Sequence, residues 1–128
     1  MSVGRIAAFG GLVLAAVSLA ACTSEKATND AAAQLAYRRS YEAINAGDWL
    51  KAQQYLIQAH QAFPDDPYVI LNLGVVAQRL GRFEEARGYY NRVIAVAPDV
   101  VPEQVTDPTV AGKSLADIAR DDLATLPE

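Results

Sequence analysis

Apolar and polar positions divide the chain into three regimes. Residues Ile6 to Ala21 form a nearly unbroken apolar run, and Thr23 to Ala33 are small and polar with no apolar period. From Gln34 onward, apolar residues recur at helical spacing. Gly47, Pro64, Gly81 and Pro98 interrupt that spacing and predict helices over 34–46, 49–62, 67–80 and 83–97. Residues 97–113 hold three prolines and carry no helical signal. Ser114 then stands where an N-cap belongs, ahead of Leu115, Ile118, Ala119, Asp122, Leu123 and Leu126, which predicts a last helix over 114–126.

Setting Ala33–Asp66 above Pro67–Val100 aligns the punctuation at a fixed offset of 34 residues without a gap. Gly47 meets Gly81, Ala52 meets Ala86 and Pro64 meets Pro98, while Trp49 meets Phe83, Tyr55 meets Tyr89 and Ser40 meets Gly74. The two glycines stand after periodic segments, where a helix C-terminus needs a residue tolerant of positive φ. Ser40, Gly74, Ala52 and Ala86 are small, as a close approach of two antiparallel helices requires. Trp49 and Phe83 are expected to fill the angle between helices, and the prolines stop the second helix of each pair. Asp48 can cap its helix, whereas Arg82 at the equivalent position cannot.

This pattern resembles the tetratricopeptide repeat. The second copy follows it closely at Leu73-Gly74, Gly81, Phe83, Ala86, Tyr90 and Pro98. The first departs from it, with Arg39 where Leu is usual and Leu56 where an aromatic is common. The resemblance implies an all-α fold in which residues 34–100 form two helix–turn–helix units stacked as a short solenoid. Solenoids usually need about three repeats. The helix within 101–128 is therefore expected to cap the open face of the second unit, self-association through that face being the alternative.

The apolar run reads differently. Arg5 supplies a short positive start, and 16 apolar or small residues follow, interrupted by Gly10-Gly11. That is short of the roughly 20 that span a bilayer and has the layout of an export signal over 1–21. Its end, Leu19-Ala20-Ala21-Cys22, resembles the bacterial lipobox. The resemblance implies cleavage before Cys22, with diacylglycerol on its sulfur and an acyl chain on the new amine. Thr23 is not the Asp that typically retains lipoproteins at the inner membrane, so the expectation is an outer-membrane lipoprotein facing the periplasm. Residues 22–33 then read as the lipidated Cys and a flexible tether spanning roughly 20 Å as coil.

Composition narrows the chemistry. With 11 basic and 15 acidic residues and no dense basic stretch, phosphate neutralisation of a nucleic acid is disfavoured. One Cys excludes an intramolecular disulfide, and one Cys with one His cannot make a Cys/His zinc site alone. His60 has no nucleophile motif around it, and Asp65-Asp66 and Glu84-Glu85 suit helix termini better than acid–base work. Arg79, Arg82, Arg87 and Arg92 read as a solvated, partly ion-paired face. No catalytic residue, metal or cofactor is expected.

In the family, first helices of each unit line a concave surface that binds a peptide or helix. Carried over, those positions are Tyr37, Tyr41 and Ile44, then Tyr68, Leu71, Asn72, Val75 and Gln78. This set is apolar and aromatic. Tyr37 and Tyr41 replace the Lys and Asn of repeats that clamp a terminal carboxylate, so an amphipathic helix or extended apolar segment is the better partner. The chain's own 99–113 segment or last helix is the competing occupant. Similar lipoproteins serve as pilotins for secretins or assembly factors for Tad/Flp pili, which implies a non-catalytic adaptor; a homo-oligomeric scaffold is the alternative.

Overall fold

The computed structural model describes residues 14–105 and 107–128, the stretch 14–21 by its backbone alone. The described chain forms α1 (Leu14–Asn45), α2 (Trp49–Ala62), α3 (Pro67–Arg79), α4 (Phe83–Val96), a 3-10 turn at Pro108–Val110 and α5 (Leu115–Thr125). No strand occurs among the described residues. Successive helices pack on one another, and α5 also reaches back to α3. Two helical hairpins plus a capping helix is the expected architecture, and the structure has it.

The turns follow from single residues. Gly47 and Gly81 adopt φ of 72° and 74°, the left-handed conformation that ends α1 and α3. Asp48 accepts from the Lys51 N–H and caps α2, while Arg82 makes no side-chain cap on α4. Asp66 accepts from the N–H groups of Tyr68 and Val69, and Pro67 occupies the first turn of α3, where a missing N–H costs nothing. Ser114 caps α5 through the Asp117 N–H.

Two clusters make the core. In the first, Ala43 of α1 meets Ala52, Leu56 and Ala59 of α2 and Val69, Leu73 and Val76 of α3. In the second, Ile70 and Ala77 of α3 and Ala86, Tyr90 and Val93 of α4 meet Leu115, Ala119 and Leu126. The last three residues are the cap itself: α5 lays its apolar stripe over the face a third repeat would have covered. Small residues set the spacing within hairpins, since Ser40, Ala52 and Ala86 are all fully buried. At Gly74 a Cβ would lie 2.6 Å from the Tyr90 ring, so only glycine admits that ring.

The structure departs from the sequence reading in two places. Residues 23–33, expected as flexible coil, are helical and continuous with the first repeat helix. The segment is almost wholly exposed until Ala33, so it is not held by packing. Alanines at 27 and 31–33 favour helix, and adding turns to an existing helix avoids the cost of nucleation. Thr28 Oγ1 also donates to the carbonyls of Ser24 and Glu25. Phe83 is the other departure. Trp49 is half-buried against the first cluster, with Arg79 of the next repeat 5.3 Å over its ring. Phe83 has no following repeat and stays 37% exposed beside Pro127 and Glu128.

The predicted signal over 1–21 lies mostly outside the described residues. Cys22 is a free, exposed thiol on α1. Among the described residues, no helix is long and apolar enough to cross a membrane.

Candidate interaction cleft

The first helices of the two hairpins bring Tyr37 and Tyr41 of α1 beside Asn72 of α3. Tyr41 follows Tyr37 by four residues, one turn along the same face. Their hydroxyls are 2.7 Å apart and share a hydrogen bond, with ring centroids at 5.1 Å in an edge-to-face arrangement. The Asn72 amide donates to both hydroxyls at 3.3 Å. Burial, and then the hydrogen bond with Tyr41, push the Tyr37 hydroxyl well above the usual tyrosine range. It stays protonated and works as a donor or acceptor, never as a charge.

This triad stands at the edge of a cleft of about 670 Å³. Tyr41, Tyr68, Leu71, Asn72, Val75 and Arg79 come from the two repeats; Leu115, Ile118 and Asp122 come from α5; Pro102, Gln104, Val105, Asp107 and Val110 form the remaining wall. Leu115 N–H donates to the Val100 carbonyl at 2.7 Å, which ties the wall to the start of α5. Asp107 accepts from the N–H and hydroxyl of Thr109, which fixes the turn leading into Pro108–Val110 and holds its carboxyl below the usual range. Pro102, Gln104, Val105, Asp107 and Val110 of the segment expected as a competing occupant therefore border the cleft, as do Leu115, Ile118 and Asp122 of α5.

The expected groove residues are thus distributed unevenly. Tyr41, Tyr68, Leu71, Asn72 and Val75 line the cleft together. Tyr37 joins through its hydroxyl and also lines a second hollow of about 480 Å³ with Gln34, Arg38, Phe63, Asp66 and Val69. Ile44 packs on the first core cluster. Gln78 is engaged internally, accepting from Tyr90 Oη at 2.7 Å and donating to Thr125 Oγ1 of α5 at 2.9 Å. A groove position in the repeat pattern has here become part of the join between repeat and cap.

Arg79 and Asp122 are lining residues that the repeat pattern does not flag. Asp122 stands among the periodic positions that predict the last helix, an acid four residues after Ile118 on its apolar side, and that placement is the signal for a cleft role the repeat pattern lacks. The wall from Pro102 to Val110 carries no periodic signal that would place it.

The remaining candidate chemistry is structural. Arg82 pairs with Glu85 at 4.0 Å and donates to Gln53; Arg87 meets Glu84 at 3.6 Å and donates to the Pro127 carbonyl. Arg92 bonds Asp65 at 2.7 Å and the Pro64 carbonyl, clasping the α2–α3 turn. With Arg79 over Trp49, all four arginines have partners on the protein, and each such surface pair contributes at most about 1 kcal/mol. His60 is half-buried in the last turn of α2, its Nδ1 enclosed without a hydrogen-bond partner among the described residues. Among the described residues, no group of three His, Cys, Asp or Glu could hold a metal ion.

Residues 43–105 match the family model described as Tetratricopeptide repeat. No curated protein and no solved structure shows significant similarity to the chain.

Proposed function

We propose that the chain, whose residues 43–105 match the model of a repeat that generally mediates protein–protein interaction, is a non-catalytic adaptor held at a bacterial membrane. The observation that carries this reading is the cleft of about 670 Å³, where aromatic and aliphatic side chains from both repeats surround a few fixed hydrogen-bonding groups. Tyrosine and asparagine beside aliphatic side chains suit a peptide segment: the rings supply area at low entropic cost, and the amide and hydroxyls meet backbone groups.

The anchor is part of the proposal. Leu19-Ala20-Ala21-Cys22 fits lipidation, and Cys22 lies on exposed helix eleven residues before Ala33, where packing begins. As helix that interval is about 17 Å, so a lipidated Cys22 holds the repeats close to the surface. The client would then belong to an envelope machine such as a pilus or secretion system, at the periplasmic side of the outer membrane.

Crosslinking in the native cell followed by purification of the full-length protein from solubilised membranes tests the whole reading. One dominant partner, lost in both Cys22→Ala and Tyr41→Glu forms, is the expected result. Incorporation of radiolabelled palmitate that depends on Cys22 tests the anchor separately. A second reading, a homo-oligomeric scaffold, has its own observation: Leu50 and Ile57 on the outer side of α2 are 59% and 44% exposed. Recovery of the protein alone, in concentration-dependent oligomers broken by Leu50→Glu, would favour it.

A further inference from the structure

The cleft carries a charge asymmetry that specifies what enters it. α5 carries three acids, Asp117, Asp121 and Asp122. Asp117 is bonded to Arg120 at 2.7 Å and Asp121 to Lys113 at 2.7 Å, both on the exposed side of the helix. Asp122 is half-buried, lines the cleft, and has no ion pair or hydrogen bond to its carboxylate among the described residues. Arg79 is the cation lining the same cleft, but its guanidinium is seated over Trp49. Asp107, the other acid in the wall, is already bonded to Thr109. The Tyr90 hydroxyl nearby donates its hydrogen bond to Gln78 Oε1. The carboxylate of Asp122 therefore lines a cleft of mixed polar and apolar character with no ion pair or hydrogen bond from the described residues.

We infer that the cleft binds a peptide segment whose apolar side chains are interrupted by a lysine or arginine, and that this cation pairs with Asp122. The inference rests on the reading of the cleft as a peptide-docking site and adds the chemistry of the occupant. An apolar segment alone would bury Asp122 further with nothing to balance its charge, which disfavours such an occupant. An acidic segment would place like charges together. A basic side chain turns the same buried acid into a charge-assisted hydrogen bond, and its position along the cleft fixes the register of the segment. Burial, with Asp121 as a lesser cause, also holds the Asp122 carboxyl above the usual aspartate range, consistent with a charge that lacks a partner.

The test uses full-length protein in detergent and an array of twelve-residue synthetic peptides, apolar at alternate or helically spaced positions. Each peptide is made in three forms that differ at one central position: lysine, norleucine or glutamate. The expected result is that the lysine form of the binding peptides is held about tenfold more tightly than its norleucine form, and the glutamate form is not held. Asp122→Asn should erase the preference for lysine, and Asp122→Lys should transfer it to glutamate. Thermal unfolding of both variants, checked alongside, shows whether they fold. Binding that is lost with Tyr41→Glu but is indifferent to the central residue and to Asp122 overturns the inference while leaving the docking cleft in place. Binding by no peptide in any form overturns both.

Discussion

The two repeats answer one packing problem in different ways. At equivalent positions 34 residues apart, the first repeat pairs Ser40 with Leu56 and the second pairs Gly74 with Tyr90. Ser40 is fully buried and donates its hydroxyl to the Tyr37 carbonyl at 2.6 Å, and the aliphatic Leu56 is fully buried as well. Gly74 gives up its side chain so that a whole ring can enter, and the Tyr90 hydroxyl then finds Gln78. Gln78 in turn holds Thr125 of α5. The larger residue in the second repeat thus connects hairpin to cap, a join the first repeat does not need because α3 already covers it. What differs between the copies is what lies next to them.

The contrast can be broken most severely at the cap. Leu115 is buried among second-repeat residues, and Leu115→Ala is expected to cost about 3 kcal/mol in denaturant unfolding through the lost burial of its side chain and the space it leaves. Next comes the exchange of small and large residues. Gly74→Ser forces a Cβ against the Tyr90 ring and should cost about 2 kcal/mol; adding Tyr90→Leu recreates the first-repeat pair and should recover part of that loss. If the double variant is no more stable than the single, the two positions are not the coupled pair described.

Smaller effects sharpen the comparison. Asp48→Ala removes a working cap from α2 and should cost about 1 kcal/mol, whereas Arg82→Ser supplies the cap that α4 lacks and should raise the midpoint slightly. Asp122 is the subtlest case. Its folded pKa is raised, so its contribution to stability is full below the ordinary value of 3.8 and is lost as pH rises through the folded value. Asp122→Asn should therefore be more stable than wild type at neutral pH, with the advantage fading as the carboxyl protonates. Urea midpoints for both proteins across pH 3 to 7 read this directly, and equal midpoints throughout would contradict it.

Much of this fold was legible because its determinants are local. Gly47 and Gly81 dictate left-handed turns, Asp48, Asp66 and Ser114 dictate helix starts, and the 34-residue offset places small residues where helices touch. The helical stretch before Ala33 was not legible from periodicity: it propagates from a packed helix without an apolar face of its own. Phe83 follows the repeat pattern in sequence, yet burial there depends on a further repeat that α5 does not imitate. The cleft was half legible. Tyr41, Leu71, Asn72 and Val75 follow from repeat positions, whereas the wall formed around Pro102 to Val110 depends on how a nonrepetitive segment returns across them.

The central claim is that the surface between α1, α3 and α5 docks another protein. Site-specific photocrosslinking in the native cell addresses it most directly, with the photoreactive residue at Tyr41 in the cleft and, separately, at Leu50 on the outer side of α2. The account predicts a single heterologous adduct from position 41, absent from position 50 and lost when Asn72→Asp is added. The same adducts from both positions, or only crosslinks of the protein to itself, would contradict it.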